Sequence, residues 1–441
     1  MRTRVLTKVS FTAAATMFTA CQGGDPGNES DGNEGPTSDR TYYEHVAPIV
    51  ADNCYRCHRE GGTGPFELKT YEQVKDNAAL VAYITQERIM PPWLADNSGQ
   101  CQTFQHATWL SEEQIQTIQD WVDADMPEGD PSNMPRFTVP NDHLVDVTHE
   151  LVMSAPYVPN IAVDDDDYRC FIIDPEIDEE MYLTSYEVIP GNPHHVHHVL
   201  IYQPVSEADV QTARDLDAAE DGEGYTCFGA AGENVNITLA AAWAPGRMMW
   251  SYPEGTGVPI KPGIAQIMQI HYHVKGDAVP DQSSMALKLL PTVDKQLLPW
   301  FYANTQLALP PGKESAVTEF ELSPAVFMDA AGTPQFAKPM TLYGIGPHMH
   351  QLGVSERIDL TKADGSRTDC LIDVPRWDFN WQFGYFFDTP IRVEPDDLIK
   401  MTCTYDTRSV DKSTYWGEGT DEEMCLALMF SVFDDGKIPT Q

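Results

Sequence analysis

The sequence predicts a multidomain chain in which a small all-α domain is followed by two all-β antiparallel sandwiches. Three observations carry this reading. Apolar residues recur at helical spacing before residue 134, and a Pro-rich acidic stretch from Glu128 to Asp142 interrupts them. After Val145 come short runs rich in β-branched and aromatic residues, divided by Gly, Pro and Asp turns. At 441 residues the chain is too long for one core, and a hydrophobic fraction of 42% is enough to build several. The formal charge of -39 repels polyanions and excludes nucleic acid as a partner.

Residues 1–21 read as a lipoprotein-type signal peptide. Arg2, Arg4 and Lys8 precede an uncharged segment from Val9 to Ala20, too short to span a membrane comfortably. It ends Phe18-Thr19-Ala20-Cys21, a cleavage box in which Cys21 takes the lipid, although Phe18 stands where Leu is usual. Residues 22–40 have almost nothing apolar and read as a flexible tether. The expectation is an exported bacterial protein, periplasmic or at the cell surface, held to a membrane by a lipid anchor.

Residues 41–134 form the helical block. Val46, Ile49 and Val50 give one helix its apolar face, and Tyr71, Val74, Ala78 and Val81 a second. Ser111 with Gln114 makes a capping box for a third, whose Ile115, Ile118, Trp121 and Val122 share a face. At the end of the first lies Cys54-Tyr55-Arg56-Cys57-His58, the pattern of covalent haem c attachment: thiols at i and i+3 meet the vinyl groups and the adjacent His ligates the iron. A zinc site would need a second such pair; a redox-active C-x-x-C is the remaining alternative. The block thus reads as a cytochrome c-like domain. For the opposite axial ligand the choice is Met90, held extended by Pro91 and Pro92, with Met126 and His106 as weaker candidates.

In the β region, Met181 to Ile189, Ala265 to Val274 and Leu398 to Tyr405 read as strands, and there is room for two sandwiches, over residues 143–292 and 293–441. Four histidines in five residues, His194, His195, His197 and His198, lead into an apolar run. No purely structural need gathers so many imidazoles at a strand entrance, and they read as half of a copper site. His197 and His198 are adjacent and diverge on a regular strand, so joint ligation requires a bulge or a strand end. His348 and His350 are two apart and share a face. His271 supplies a further nitrogen and Met424 a soft thioether, which favours Cu(I). The sum is one three-His site and one two-His-plus-Met site. The acidic run Asp164 to Asp167 reads as a solvated loop, with cation binding as the other option.

At these residues the β region resembles the copper type II, ascorbate-dependent monooxygenases, the family of dopamine β-monooxygenase and peptidylglycine α-hydroxylating monooxygenase. The matching stretches, in the family's order, are Val196-His197-His198-Val199, Trp243-Ala244-Pro245-Gly246, Tyr252-Pro253-Glu254, His271-Tyr272-His273, His348-Met349-His350-Gln351-Leu352-Gly353, Cys403-Thr404-Tyr405 and Glu422-Glu423-Met424-Cys425. The resemblance implies two jelly-roll-like sandwiches, each holding one of two copper ions, facing across a wet cleft. It implies that His197, His198 and His271 hold an electron-supplying copper, and that His348, His350 and Met424 hold the one where O2 and a small-molecule substrate meet. Gln269 matches the family pattern and is grouped with the catalytic residues. The implied reaction is hydroxylation of a substrate C–H bond. His194 and His195 are additional and are read as solvated or as neighbours of the ligands. Gly346 and Leu428 stand where the peptide-hydroxylating branch has an arginine and a tyrosine, which argues against a peptide substrate.

Nine cysteines suit an oxidising compartment. The resemblance suggests Cys403 with Cys425 and Cys170 with Cys227; Cys101 and Cys370 are left in different domains, and a bridge between them is open. The fused haem suggests that an external donor reduces the haem, which feeds the three-His copper in place of, or beside, ascorbate. The competing reading is a surface-anchored haem and copper electron carrier or copper-storage protein.

Overall fold

The computed structural model describes residues 39–139, 143–161, 166–228, 230–244, 249–274 and 276–439. The leader with Cys21, nearly all of the tether, Asp164, Asp165, Pro245 and Gly246 lie outside the described residues. Among those described, no helix is long and apolar enough to cross a membrane.

The helical block packs Tyr42, Val46, Val50, Val74, Val81 and Trp121 into one core. A π-helical turn, Tyr42–Val46, feeds the helix Ala47–Asn53. Capping boxes start the helices Tyr71–Asp76 and Glu112–Asp123, where Thr70 pairs with Gln73 and Ser111 with Gln114. The sequence pattern over 71–81 predicts one helix, but the chain breaks it at Asn77 and resumes as Ala78–Gln86. Asn77 leaves helical geometry and its side chain donates to the Gln73 carbonyl, the local competition that makes Asn a poor helix interior.

Within the 41–134 block, one segment packs elsewhere. Trp93, Leu94, Ala95 and Phe104 join the core of the C-terminal sandwich. Backbone bonds tie Asp96 to Asp373 and Gln105 to Phe386, and Cys101 is bridged to Cys370. Arg376 adds donations to the carbonyls of Glu87 and Arg88. The helical block is therefore clamped to the C-terminal sandwich. The start of the acidic linker is strapped back as well: Tyr42 N–H donates to Pro127, Glu44 accepts from Asp130 N and Asn133, and Phe137 meets Tyr55 edge to face at 4.9 Å.

The first sandwich pairs a five-stranded with a six-stranded sheet. The five-stranded order is Tyr225–Thr226, Asp166–Ile173, Gln266–His273, Val196–Pro204, Ile237–Trp243, all antiparallel. The opposing sheet runs His149–Val152, Ser284–Leu290, Met181–Ile189, Thr256–Ile260, Lys295–Gln296, with Met249–Ser251 also on Met181–Ile189. Leu183, Val188, Val199, Met268 and Ile270 close the space between the sheets. Gln266–His273 is buried on nearly every residue because Met268, Ile270 and Tyr272 face that core while Ile267 on the other side packs with Cys170, Tyr202, Ala213, Tyr225 and Cys227.

The second sandwich packs Leu298–Ala303, Leu426–Phe433, Met340–His348, Tyr385–Val393 on Ala316–Leu322, Leu398–Tyr405, Gly353–Thr361, Thr368–Val374. Leu398–Tyr405 alternates buried and less buried positions along its length, the period-2 pattern of an ordinary half-buried strand. The two sandwiches share an interface: Phe386, Phe430 and Val432 of the second enter the core of the first. At Gly384 a Cβ would lie 2.9 Å from the Trp250 indole, so only glycine lets the two domains close there.

Candidate metal centre

The central strand pair of the first sandwich builds the three-imidazole group. Register between Val196–Pro204 and Gln266–His273 slips between Val196 and His198, leaving His197 outside the ladder. This irregularity turns two adjacent side chains to one side, with ring centroids of His197 and His198 at 4.3 Å. His271 stands opposite His198 in the ladder, 5.1 Å from His197 and 5.6 Å from His198 between ring centres. One ligand atom from each of the three lies within 4.8 Å of the others.

The hydrogen bonds decide which nitrogens are available. His271 Nε2 bonds Asp166 Oδ1 at 3.1 Å, and His198 Nε2 bonds Gln382 Oε1 at 3.0 Å. Both contacts leave Nδ1 for a metal. The Nδ1 of His197 is buried with no hydrogen-bond partner. A buried imidazole nitrogen without a partner is costly unless something fills it, and a metal ion does so. Tyr168 stacks on His271 at 4.2 Å and 10°, fixing the ring plane. Asp166 also bonds His273 Nδ1 at 2.6 Å and Thr420 N–H at 3.0 Å. Burial raises its pKa, but the bonds from His271 and His273 outweigh that and hold the carboxylate well below its usual range.

The second group sits where Met340–His348 ends. Met349 turns fully into the sandwich core, so His348 and His350 face the other way, perpendicular at 5.2 Å. His350 Nδ1 bonds the Glu422 carbonyl at 3.1 Å, which leaves Nε2 outward. Glu423, completely buried, accepts from the amides of His350 (2.9 Å), Leu352 (2.6 Å) and Met424 (3.2 Å), holding two candidate ligands on one carboxylate. Burial pushes that carboxyl up to about 7. The Met424 carbonyl accepts from Tyr405, and the Cys403–Cys425 bridge follows directly in the chain.

The two groups touch. His198 and His348 lie 5.7 Å apart between ring centres, Gln382 faces both, and Phe379 packs on His197 at 4.9 Å and on His350 at 6.1 Å. The wet cleft that the resemblance implies is closed at this point. The Thr420 bond to Asp166 and the bond from Tyr168 OH to the Glu418 carbonyl pull a loop of the second sandwich onto the first. Beside the contact is a cavity of about 580 Å3 lined by His198, His271, His348, His350 and Met424 among many aromatic residues.

Desolvation, then neighbouring imidazoles, lowers His197 to about 3; desolvation and His350 lower His348 to about 3. His350 falls to about 4, chiefly by burial, and His198 well below its usual value. These rings are neutral, ligand-ready bases without a metal. The sign follows: a proton competes with a metal only below the folded pKa. Copper affinity of the His348, His350 and Met424 group is expected to stay nearly flat from pH 8 to about 5 and to fall only as pH approaches about 4, whereas ordinary imidazoles would begin to lose the metal near their usual pKa of about 6.5. Chelator competition across that range is the measurement.

Gln269 donates to the carbonyls of Cys227 (3.0 Å) and Ala230 (2.5 Å), committing its amide nitrogen to the loop beside the Cys170–Cys227 bridge. His194 is exposed, whereas His195 is buried with both ring nitrogens unpartnered by hydrogen bonds. Cys54 and Cys57 are unbridged, and past the helix end at Asn53 the chain makes a turn in which the Cys57 and His58 N–H groups both donate to the Cys54 carbonyl. His58 Nδ1 bonds the Phe66 carbonyl at 2.9 Å, leaving Nε2 for an iron. Desolvation pushes the Cys54 thiol up to about 12, the opposite of the activated thiolate a redox C-x-x-C needs. Met90 lines a small cavity with Trp93 and Trp109 where the helical block meets the C-terminal sandwich, while Met126 packs on the helical core. Asp166, Gln382, Phe379, Tyr168 and Glu423 were not singled out by sequence. Asp166 lay in the acidic run read as solvated, and only the strand register sets it opposite His273.

Residues 151–277 match the N-terminal domain, and residues 305–432 the C-terminal domain, of the copper type II ascorbate-dependent monooxygenases. DBH-like monooxygenase protein 2 of Mus musculus is 24% identical over 64% of this chain and 45% of its own length. Dopamine beta-hydroxylase of Canis lupus familiaris is 24% identical over 52% of this chain and 39% of its own. Tyramine beta-hydroxylase of Caenorhabditis briggsae is 25% identical over 62% of this chain and 46% of its own. The chain thus spans about half the length of these relatives or less.

Proposed function

Because the chain belongs to the copper type II ascorbate-dependent monooxygenases, whose two domains together match more than half of its residues, we propose that it hydroxylates a C–H bond of a small organic substrate with O2. One oxygen atom enters the substrate and the other leaves as water, with a pair of electrons and a pair of protons consumed. The observation that carries this reading is the meeting of two unlike ligand groups at one cavity wall. One has its Nδ1 atoms unengaged, the other pairs two imidazoles with a thioether. Copper bound there supplies one-electron steps and O2 activation.

In this proposal His197, His198 and His271 hold the electron-supplying ion through Nδ1, with Asp166, Gln382 and Tyr168 fixing ring orientation. His348, His350 and Met424 hold the ion at which the substrate reacts, with Glu423 organising the turn that presents two of them. The largely apolar lining would shed water from around the reacting carbon as a substrate fills the cavity. A carrier or storage protein would have no use for two unlike ligand groups sharing a substrate-sized cavity.

The helical block is read as the electron entry: Cys54 and Cys57 would hold a haem c, with His58 and Met90 as the candidate iron ligands, and the haem would supply one-electron transfer. The free Nε2 of His58 and the clamp onto the C-terminal sandwich support this. Three disulfides suit an exported protein, and a lipid anchor on Cys21 would hold it at a membrane surface.

The test is O2 consumption by the copper-loaded, haem-containing protein with a chemical reductant, across phenethylamine-like, aromatic and aliphatic compounds. Substrate-dependent uptake with hydroxylated product is expected. No uptake with any compound, despite two bound coppers, would favour the electron carrier. Stopped-flow mixing of haem-reduced protein with O2 and substrate separately tests the relay: haem oxidation must track product.

A further inference from the structure

Resting on that reading, we infer that the substrate is an uncharged, bulky, apolar molecule bound in the cavity between the two sandwiches, rather than a small amine or a carboxylate. The cavity of about 580 Å3 is of drug-ligand size, more room than a single ring on a short chain requires. Its walls come from both domains, and Trp243, Trp250, Trp300, Phe301, Phe383 and Phe430 give them their character.

Charge decides the class. Apart from the histidines, Glu418 is the one charged side chain among the described residues of the lining, and no Lys or Arg is present there. A carboxylate substrate would be desolvated with no Lys or Arg of the lining to pair it. Glu418 is itself engaged with other protein groups, so an ammonium would find no unpaired anion waiting for it. Close to the two ligand groups the polar side chains are uncharged: the amides of Gln269 and Gln382, both already hydrogen-bonded, and Thr420. Gly346 and Leu428 face each other across paired strands, and a Cβ at 346 would lie 3.6 Å from Leu428 Cβ and 3.6 Å from Gly384 Cα. A neutral apolar skeleton loses nothing on entering such a space and gains the burial of its surface.

The experiment uses the full chain freed of copper, so that it does not depend on turnover. Geraniol, geranate and geranylamine share one branched skeleton and differ in charge; phenethylamine is the fourth probe. Binding is followed by the emission of the lining tryptophans and by calorimetry. Geraniol is expected to bind about tenfold or more tighter than each of the other three, with a negative heat-capacity change. Leu428→Arg should weaken geraniol and tighten geranate by about tenfold, by placing a cation on the wall. Gly346→Ala, whose added methyl meets only ordinary contacts, should weaken geraniol without any gain for geranate. Tighter binding of geranylamine or phenethylamine, tighter binding of geranate, no binding of geraniol, or indifference to both substitutions would each overturn the inference. Failure of the copper reading shows separately, as failure to take up two coppers.

Discussion

Met424→Ala is expected to lower substrate-dependent O2 consumption by about 100-fold or more, while the melting temperature moves by only a few degrees. The split between the two effects comes from where the side chain lies. Met424 is 8% exposed, yet among the described residues it belongs to neither sandwich core and instead lines the cavity beside His348 and His350. Its backbone is fixed independently of its side chain, since the amide donates to Glu423, the carbonyl accepts from Tyr405, and Cys425 is bridged to Cys403. Truncation therefore removes a thioether from the candidate centre and leaves the turn standing. A thioether favours the cuprous state, so its loss should weaken the second copper and bias it towards the oxidised form. The measurements are O2 uptake, copper content after dialysis against a mild chelator, and thermal unfolding. Near-normal turnover in Met424→Ala would remove Met424 from the ligand set.

How much of this site was legible in the sequence depends on how local each constraint is. The need for a bulge at His197 and His198 follows from strand geometry alone, and the register slip lies where that argument requires it. His348 and His350 share a face for the same reason, with Met349 turned into the core. The capping box at Ser111 was readable because its two members are three residues apart. The helix break at Asn77 was not, because the apolar spacing runs through it and a single side-chain bond to Gln73 decides the outcome. Long-range partners were hidden altogether. Asp166 reaches His271 across 105 positions, and Gln382 reaches His198 across 184. Nothing in composition or periodicity marks a residue whose importance is set by strand register or by domain closure. The docking of Trp93 to Phe104 on the C-terminal sandwich was hidden for the same reason: as sequence it is a loop between helices, and only the sheet beneath it gives those aromatic rings a place.

Asp166→Ala is expected to reduce copper affinity at the three-imidazole group by about 10- to 100-fold while the group around Met424 retains its metal. One carboxylate performs three tasks here. Oδ1 accepts from His271 Nε2, which sets the tautomer that leaves Nδ1 for the metal, and it also accepts from His273 Nδ1. Oδ2 accepts from Thr420 N–H, which belongs to the loop of the second sandwich lying next to Met424 in the chain. Without the carboxylate, His271 can rotate or take the other tautomer, and its stacking on Tyr168 alone does not choose between nitrogens. The loss of the Thr420 bond also loosens the contact that holds His198 and His348 at 5.7 Å. Two readouts separate these effects. Chelator competition and the paramagnetic-resonance signature of the three-imidazole copper report on the tautomer. The rate at which a reduced three-imidazole copper loses its electron, in protein reloaded with excess metal, reports on the closure. Asp166→Asn keeps one acceptor oxygen and should recover part of the first effect, because a neutral acceptor still directs Nε2–H but holds it less firmly than a charged one. If both variants bound copper as the parent does, the bond seen between Asp166 and His271 would be one of packing only, and the orientation of that ring would have to be assigned to Tyr168.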